Sequence, residues 1–137
     1  MAANLNPIFV ETAETAAQDI ANADGTTVQD LVTAGADGAR VFAVQASTDE
    51  TANRDLTLYL QRDGAGTNYP LGSVQVPLGA GTSSSVAGVN LLDATKLRGL
   101  DVDGSLILGG GDKLRVAPTA TVTSGKTIWV TAHYGDY

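Results

Sequence analysis

Residues 56–61 read Leu-Thr-Leu-Tyr-Leu-Gln, and this alternation constrains the fold more than any other feature of the chain. In an extended backbone Leu56, Leu58 and Leu60 fall on one side and Thr57, Tyr59 and Gln61 on the other, the period of two of a half-buried strand. A helix would scatter the leucines around its axis. Upstream, residues 40–47 are nearly all apolar. Val41 and Ala43 share one face and Phe42, Val44 and Ala46 the other, which predicts a strand covered on both sides. Between the two runs, residues 48–55 carry four charged side chains and no large apolar one, so an exposed loop is expected there. Residues 39–69 as a whole read as a core hairpin followed by a glycine turn at residues 63–67.

The 137 residues suffice for one domain with a sizeable core. Sixteen glycines, with abundant Thr, Ala, Val and Leu and few charges, favour strands joined by tight turns over surface helices. There is no cysteine, so disulfides and thiolate metal sites are excluded. A formal net charge of −7, with only eight scattered basic residues, argues against a nucleic-acid partner, because phosphate neutralisation needs clustered Lys and Arg. Such acidity also repels anionic membranes. The N-terminus has no basic region followed by a long apolar run, and no stretch has the length of a bilayer span, so neither a secretory signal nor a membrane segment is expected.

Asn4, Asn6 and Pro7 oppose regular structure at the start and predict an extended arm ending in the apolar patch Ile8, Phe9 and Val10. Residues 11–23 are ambiguous. Their alanines suit a helix, but their Thr and Asn residues tip the reading to a strand. The expected division is therefore residues 1–25 as arm or first strand and residues 26–137 as the sandwich. Residues 26–33 read as a strand in which Leu31 breaks the alternation and signals a bulge or burial on both sides, and the turn at residues 35–38 joins it to the next run as a first hairpin. Pro70 and Gly72 mark residues 68–76 as an edge or bulged strand. Residues 77–88, rich in Gly and Ser, read as a mobile surface loop. Residues 89–100 form a short helical turn or an irregular link between sheets. Residues 106–108 form a short strand. In residues 112–117, Leu114 and Val116 point inward and Lys113 and Arg115 outward. A last hairpin pairs residues 119–123 with 127–134, and there Ile128, Val130 and Ala132 oppose Trp129, Thr131 and His133. Strands at this spacing predict an all-β fold, an antiparallel β-sandwich of roughly eight strands.

The candidates for chemistry are weak. His133 has no Ser or Asp placed near it in a recognised nucleophile motif, and a structural histidine is the better reading. Asp101, Asp103 and Asp112 resemble the opening of a calcium loop, but Ser105 stands at the third ligand position and the closing Glu is absent, so an Asp-capped turn is expected. Residues 109–113 lack the Lys-Ser/Thr pair and the helix of a phosphate loop. Tyr59, Tyr69, Trp129, Tyr134 and Tyr137 could stack on a sugar only if they converge. The expectation is a chain that is not an enzyme and takes no cofactor or metal.

ADGARVFAVQA, the charged loop, LTLYLQRDGAGTNYPLGSVQVP and the closing LILGGGDKLRVAPTATVTSGKTIWVTAHYGDY together resemble small β-sandwich structural proteins of tailed bacteriophages. The resemblance runs from about residue 26 onward and rests on Asp63-Gly64, Asn68-Tyr69 before Pro70-Leu71, Leu114-Arg115-Val116 after a Gly-Asp turn, and the terminal Gly135-Asp136-Tyr137. It implies a jelly-roll-like virion component of the decoration or cement type. Such a protein is made in the host bacterial cytoplasm, binds the major capsid protein on the outer shell surface and stabilises the shell as a homotrimer. A tail- or fibre-associated module that binds a host-surface glycan is the alternative. The resemblance carries no residue-level binding motif. The candidate interface residues come from position and chemistry: Ile8, Phe9 and Val10 of the arm, Asp49, Glu50 and Arg54 of the charged loop, and Trp129, Tyr134 and Tyr137 of the last strand.

Overall fold

The computed structural model describes residues 9–137, so Ile8 and the rest of the expected arm before Phe9 lie outside the described residues. Nine strands are present among them: β1 (Thr12–Ala21), β2 (Gln29–Thr33), β3 (Ala39–Thr48), β4 (Arg54–Gln61), β5 (Asn68–Val76), β6 (Val89–Asn90), β7 (Leu106–Leu108), β8 (Lys113–Pro118) and β9 (Thr127–Asp136). A five-stranded sheet runs β1-β9-β3-β6, with β7 also on β3, and a four-stranded sheet runs β2-β8-β4-β5. Every pairing is antiparallel.

The order has a simple origin. The chain doubles back at the turn between β4 and β5, so β4 meets β5, β3 meets β6 and β7, β2 meets β8, and β1 meets β9. Rolling this double ribbon adds β3 to β9 and β4 to β8. That is a jelly roll, with β6 and β7 sharing one strand position. The ambiguity at residues 11–23 resolves as strand over Thr12–Ala21, closed by a 3-10 turn at Asn22–Asp24, and β1 is an edge of the larger sheet.

The inward faces follow the alternation. Leu56 and Leu58 of β4, Leu114 and Val116 of β8, and Ile128, Val130 and Ala132 of β9 are buried together with Ile20, Val41 and Val44. The expected bulge in β2 is present: its register shifts between Asp30 and Val32, and Leu31 and Val32 are both buried. β5 is an edge strand with a register shift opposite Leu58 and Tyr59. Glycine is required there, because a Cβ on Gly72 would stand 2.5 Å from the Lys96 carbonyl oxygen.

Four local expectations are corrected. β2 and β3 lie in different sheets, as do β3 and β4, so neither residues 26–47 nor residues 39–69 form a hairpin. Their alternation specifies which side chains turn inward and leaves the partner strand open. The terminal hairpin is also absent: residues 119–123 are irregular, and β8 and β9 belong to opposite sheets. β3 is covered on one face only. A register shift between Val41 and Ala43 makes Phe42 the extra residue, so Val41 and Val44 both point inward and Phe42 is 48% exposed.

The fourth correction is confined to three residues of 48–55 and 77–88, loops that are otherwise mostly exposed as expected. Thr48, Glu50 and Ala80 are buried. The Glu50 carboxylate accepts hydrogen bonds from the Thr123 amide at 2.5 Å, Arg54 Nε at 3.1 Å and the Thr51 amide at 3.2 Å. Gly79 N donates to the Glu50 carbonyl, Thr48 N to the Ala80 carbonyl, and Thr48 Oγ1 to the Thr127 carbonyl. Three connections between the sheets, β3–β4, β5–β6 and β8–β9, are thereby latched at one end of the sandwich.

Burial by itself pushes the Glu50 pKa up, but the hydrogen bonds from Thr123 and Arg54 outweigh it and hold the carboxyl below its ordinary value of 4.5. The stability this group contributes is present above the unfolded-state value and is lost as pH falls through the lower folded value. Glu50→Ala is expected to lower the unfolding free energy by about 2–3 kcal/mol, and Glu50→Gln by about 1–2 kcal/mol, in urea titrations at neutral pH. On acidification below 4.5 the gap between wild type and Glu50→Gln should narrow.

Candidate interaction surface

The two sheets present unlike outer faces. On the four-stranded sheet, Asp30 of β2 is paired with Lys113 Nζ at 2.9 Å and Arg115 Nε at 2.6 Å. Arg115 also donates to Asn68 Oδ1 and the Val28 carbonyl, and Thr57 and Ser73 hydroxyls share a hydrogen bond at 2.6 Å. The hydrogen bond from Lys113, reinforced by the Arg115 charge, holds the Asp30 carboxyl below its ordinary range despite some burial. This face is polar, and its charges are paired with one another, although Arg115 Nε makes no hydrogen bond of good geometry.

The five-stranded sheet differs. The β3 bulge turns Arg40 and Phe42 outward, and Ile107 of β7, opposite Arg40 in register, is 52% exposed. Phe9, Val10, Arg40, Phe42 and Tyr137 line an open depression of about 330 Å³. Val10 reaches it by crossing β9 at Gly135, where any Cβ would overlap the valine side chain. The Glu11 amide, donating to the Asp136 carbonyl at 2.9 Å, anchors the crossing. Farther along the same face, Trp129, Thr131 and His133 of β9 are exposed, in register with Asp19, Ala17 and Thr15 of β1.

Arg40 organises the rim. Its guanidinium meets Asp101 at 2.8 Å and Asp103 at 3.5 Å. Asp103 also accepts from the Ser105 hydroxyl and amide; these bonds, with a smaller contribution from Arg40, hold its carboxyl below the ordinary aspartate range. The carboxylates once compared to a calcium loop are therefore spent on an arginine and a capped turn. Val102, between them, projects fully into solvent.

The sequence-derived interface residues separate. Phe9, Val10 and Tyr137 meet in the depression, and Trp129 shares their sheet face. Tyr134 is on the inner side of β9, half-buried against the core, with its hydroxyl 3.4 Å from Glu14. Burial, and then the Glu14 charge, push its pKa up. Asp49, Glu50 and Arg54 lie apart from that face, in the latch at the sandwich end. Asp49 accepts from the Thr127 amide, Glu50 is buried, and Arg54 is bound to Glu50 and Thr123. Charge was a poor guide to exposure there, because the partners lie about seventy residues downstream in the chain. Arg40, Phe42, Val102 and Ile107 were missed. Ile107 was readable, since in Leu-Ile-Leu the period of two turns the middle side chain away from its neighbours. The aromatic residues do not form one platform, because Tyr59 and Tyr69 belong to the other sheet. No hydrogen bond among the described residues engages the His133 side chain with a Ser, Asp or Glu.

No protein-family model matches the sequence, and no curated protein matches it. Among solved structures, the chain is similar to a cryo-EM structure of the giant freshwater prawn Macrobrachium rosenbergii extra small virus virus-like particle. Sequence identity is 11%, the TM-score is 0.31, and the match covers 99% of this chain and 87% of that one. The jelly-roll assignment rests on the strand pairing alone.

Gly135→Ala is expected to cost about 1–3 kcal/mol, as overpacking does, by driving Val10 off β9. Val10→Ala should recover part of that loss in the double variant, since the Thr12 carbonyl oxygen 2.9 Å from the new Cβ must still give, as read from denaturant midpoints in a four-member cycle.

Proposed function

We propose that this protein is a structural component of a virus particle, a decoration protein that docks on the outside of a tailed-bacteriophage shell. The observation that carries the reading is the contrast between the two outer faces. One is closed by its own ion pairs, whereas the other exposes Phe9, Phe42 and Ile107 around Arg40 on a rigid sheet. Apolar side chains held exposed on a stiff scaffold favour burial by a partner. The jelly roll itself supports the reading only by analogy, since capsid and lectin domains both use it. The resemblance of residues 26–137 to phage sandwich proteins points the same way. In this account the chain has no catalytic role, its partners are the major capsid protein and two further copies of itself, and the particle surface is its location.

Phe9, Phe42, Trp129 and Tyr137 share the outer face of the larger sheet, as a glycan platform would require, but the aliphatic Ile107 exposed beside them favours assembly over that alternative. Purified protein is expected to form a trimer by light scattering and to co-sediment with assembled shells but not with free capsid subunits. Phe42→Asp and Ile107→Asp should each weaken shell binding by about tenfold or more while leaving the unfolding midpoint nearly unchanged. A monomer that ignores shells would refute the proposal.

A further inference from the structure

A sheet edge leaves a row of N–H and C=O groups that another strand can pair, and proteins ordinarily blunt such edges. Three of the four edges here carry a blunting device in the backbone, a proline, a bulge or a very short strand. β5 contains Pro70 and a register shift, β2 is bulged at Leu31, and the edge beyond β3 consists of the two- and three-residue strands β6 and β7. β1 has none of these. Its ten residues pair with β9 without a register break, it contains no Pro, Gly or Lys, and among the described residues no strand pairs with its other side.

Charge selects what can pair there. Six of the fifteen carboxylates and none of the eight basic residues precede Arg40, so this first part carries −6 of the net −7. Glu11, Glu14 and Asp19 are exposed along β1 and its approach, and no ion pair among the described residues involves them. Two copies of β1 laid antiparallel in full overlap would set Glu14 of each opposite Asp19 of the other. Like charges directly opposite one another disfavour pairing, whereas opposite charges at the same positions favour it.

We infer that the outer edge of β1 is a docking site for an extended segment of another protein that carries Lys or Arg opposite Glu14 and Asp19, added as a further strand of the larger sheet. Main-chain hydrogen bonds supply the attachment and the acidic pair supplies the choice of partner. The inference does not depend on the shell-binding proposal, which is read through Phe42 and Ile107.

The test titrates the protein with a ten-residue Thr/Val peptide bearing Lys at the two positions facing Glu14 and Asp19, and with the same peptide bearing Glu there. Amide exchange and chemical shifts report the site. The Lys peptide should protect β1 amides and bind about tenfold more tightly than the Glu peptide, with the preference shrinking at high salt. In the Glu14→Lys/Asp19→Lys variant the preference should reverse. Equal binding of the two peptides, no protection of β1, or an unchanged preference in the variant would overturn the inference. So would concentration-dependent protection of β1 in the free protein, which would mark the edge as a self-pairing site. Phe42→Asp should leave peptide binding intact.

Discussion

The buried carboxylate of Glu50 is the interaction on which the rest of the sandwich leans. The two sheets of this rolled double ribbon share no hydrogen-bonded strand pair, and the chain crosses from one to the other at the ends. At one end Glu50 gathers the crossings, taking hydrogen bonds from Thr123, Arg54 and Thr51 while its own carbonyl receives the Gly79 amide. A carboxylate with no exposed side-chain surface is costly unless every lone pair is engaged. Two of its donors, Thr51 and Arg54, come from its own loop and the third, Thr123, from the β8–β9 connection, so the cost is fully offset only when that connection lies against the β3–β4 loop. The group therefore favours this arrangement of loops over others that the same strands could adopt.

At the opposite end Asp112 has a lesser version of that role. Its carboxylate accepts from the Asp63 and Gly109 amides and its carbonyl from Ala34, which ties the β4–β5 and β7–β8 turns to the end of β2. With both ends held, the outward side chains ride on a stiff frame. This is why the bulge in β3 matters: it sets Phe42 outward beside Arg40 while leaving Val41 and Val44 in the core. A surface for assembly requires side chains that keep their places before a partner arrives.

Much of the frame was legible in the sequence. The alternation in β4, β8 and β9, the bulge in β2 and the edge character of β5 all follow from side-chain period and from Leu31, Pro70 and Gly72. What could not be read was which strands pair. A period of two states which face is buried, and the same pattern satisfies a hairpin or a crossover between sheets, so three expected hairpins dissolved. The latch was hidden for a related reason. Glu50 and Arg54 look like solvent-facing charges until Thr123 is brought to them, and the Gly- and Ser-rich segment looks mobile until Ala80 and Gly79 meet residues 48–50. Phe42 was masked by the nearly continuous apolar run around it, which concealed the bulge.

The central claim is that the outer face of the five-stranded sheet is the surface this protein uses to assemble. A cryo-EM reconstruction of phage shells incubated with the purified protein, at a resolution that places side chains, tests it directly. The account predicts Phe9, Phe42 and Ile107 buried against a neighbouring chain, with the Asp30, Lys113 and Arg115 cluster facing solvent. A particle in which that cluster is buried and Phe42 and Ile107 remain in water would contradict it.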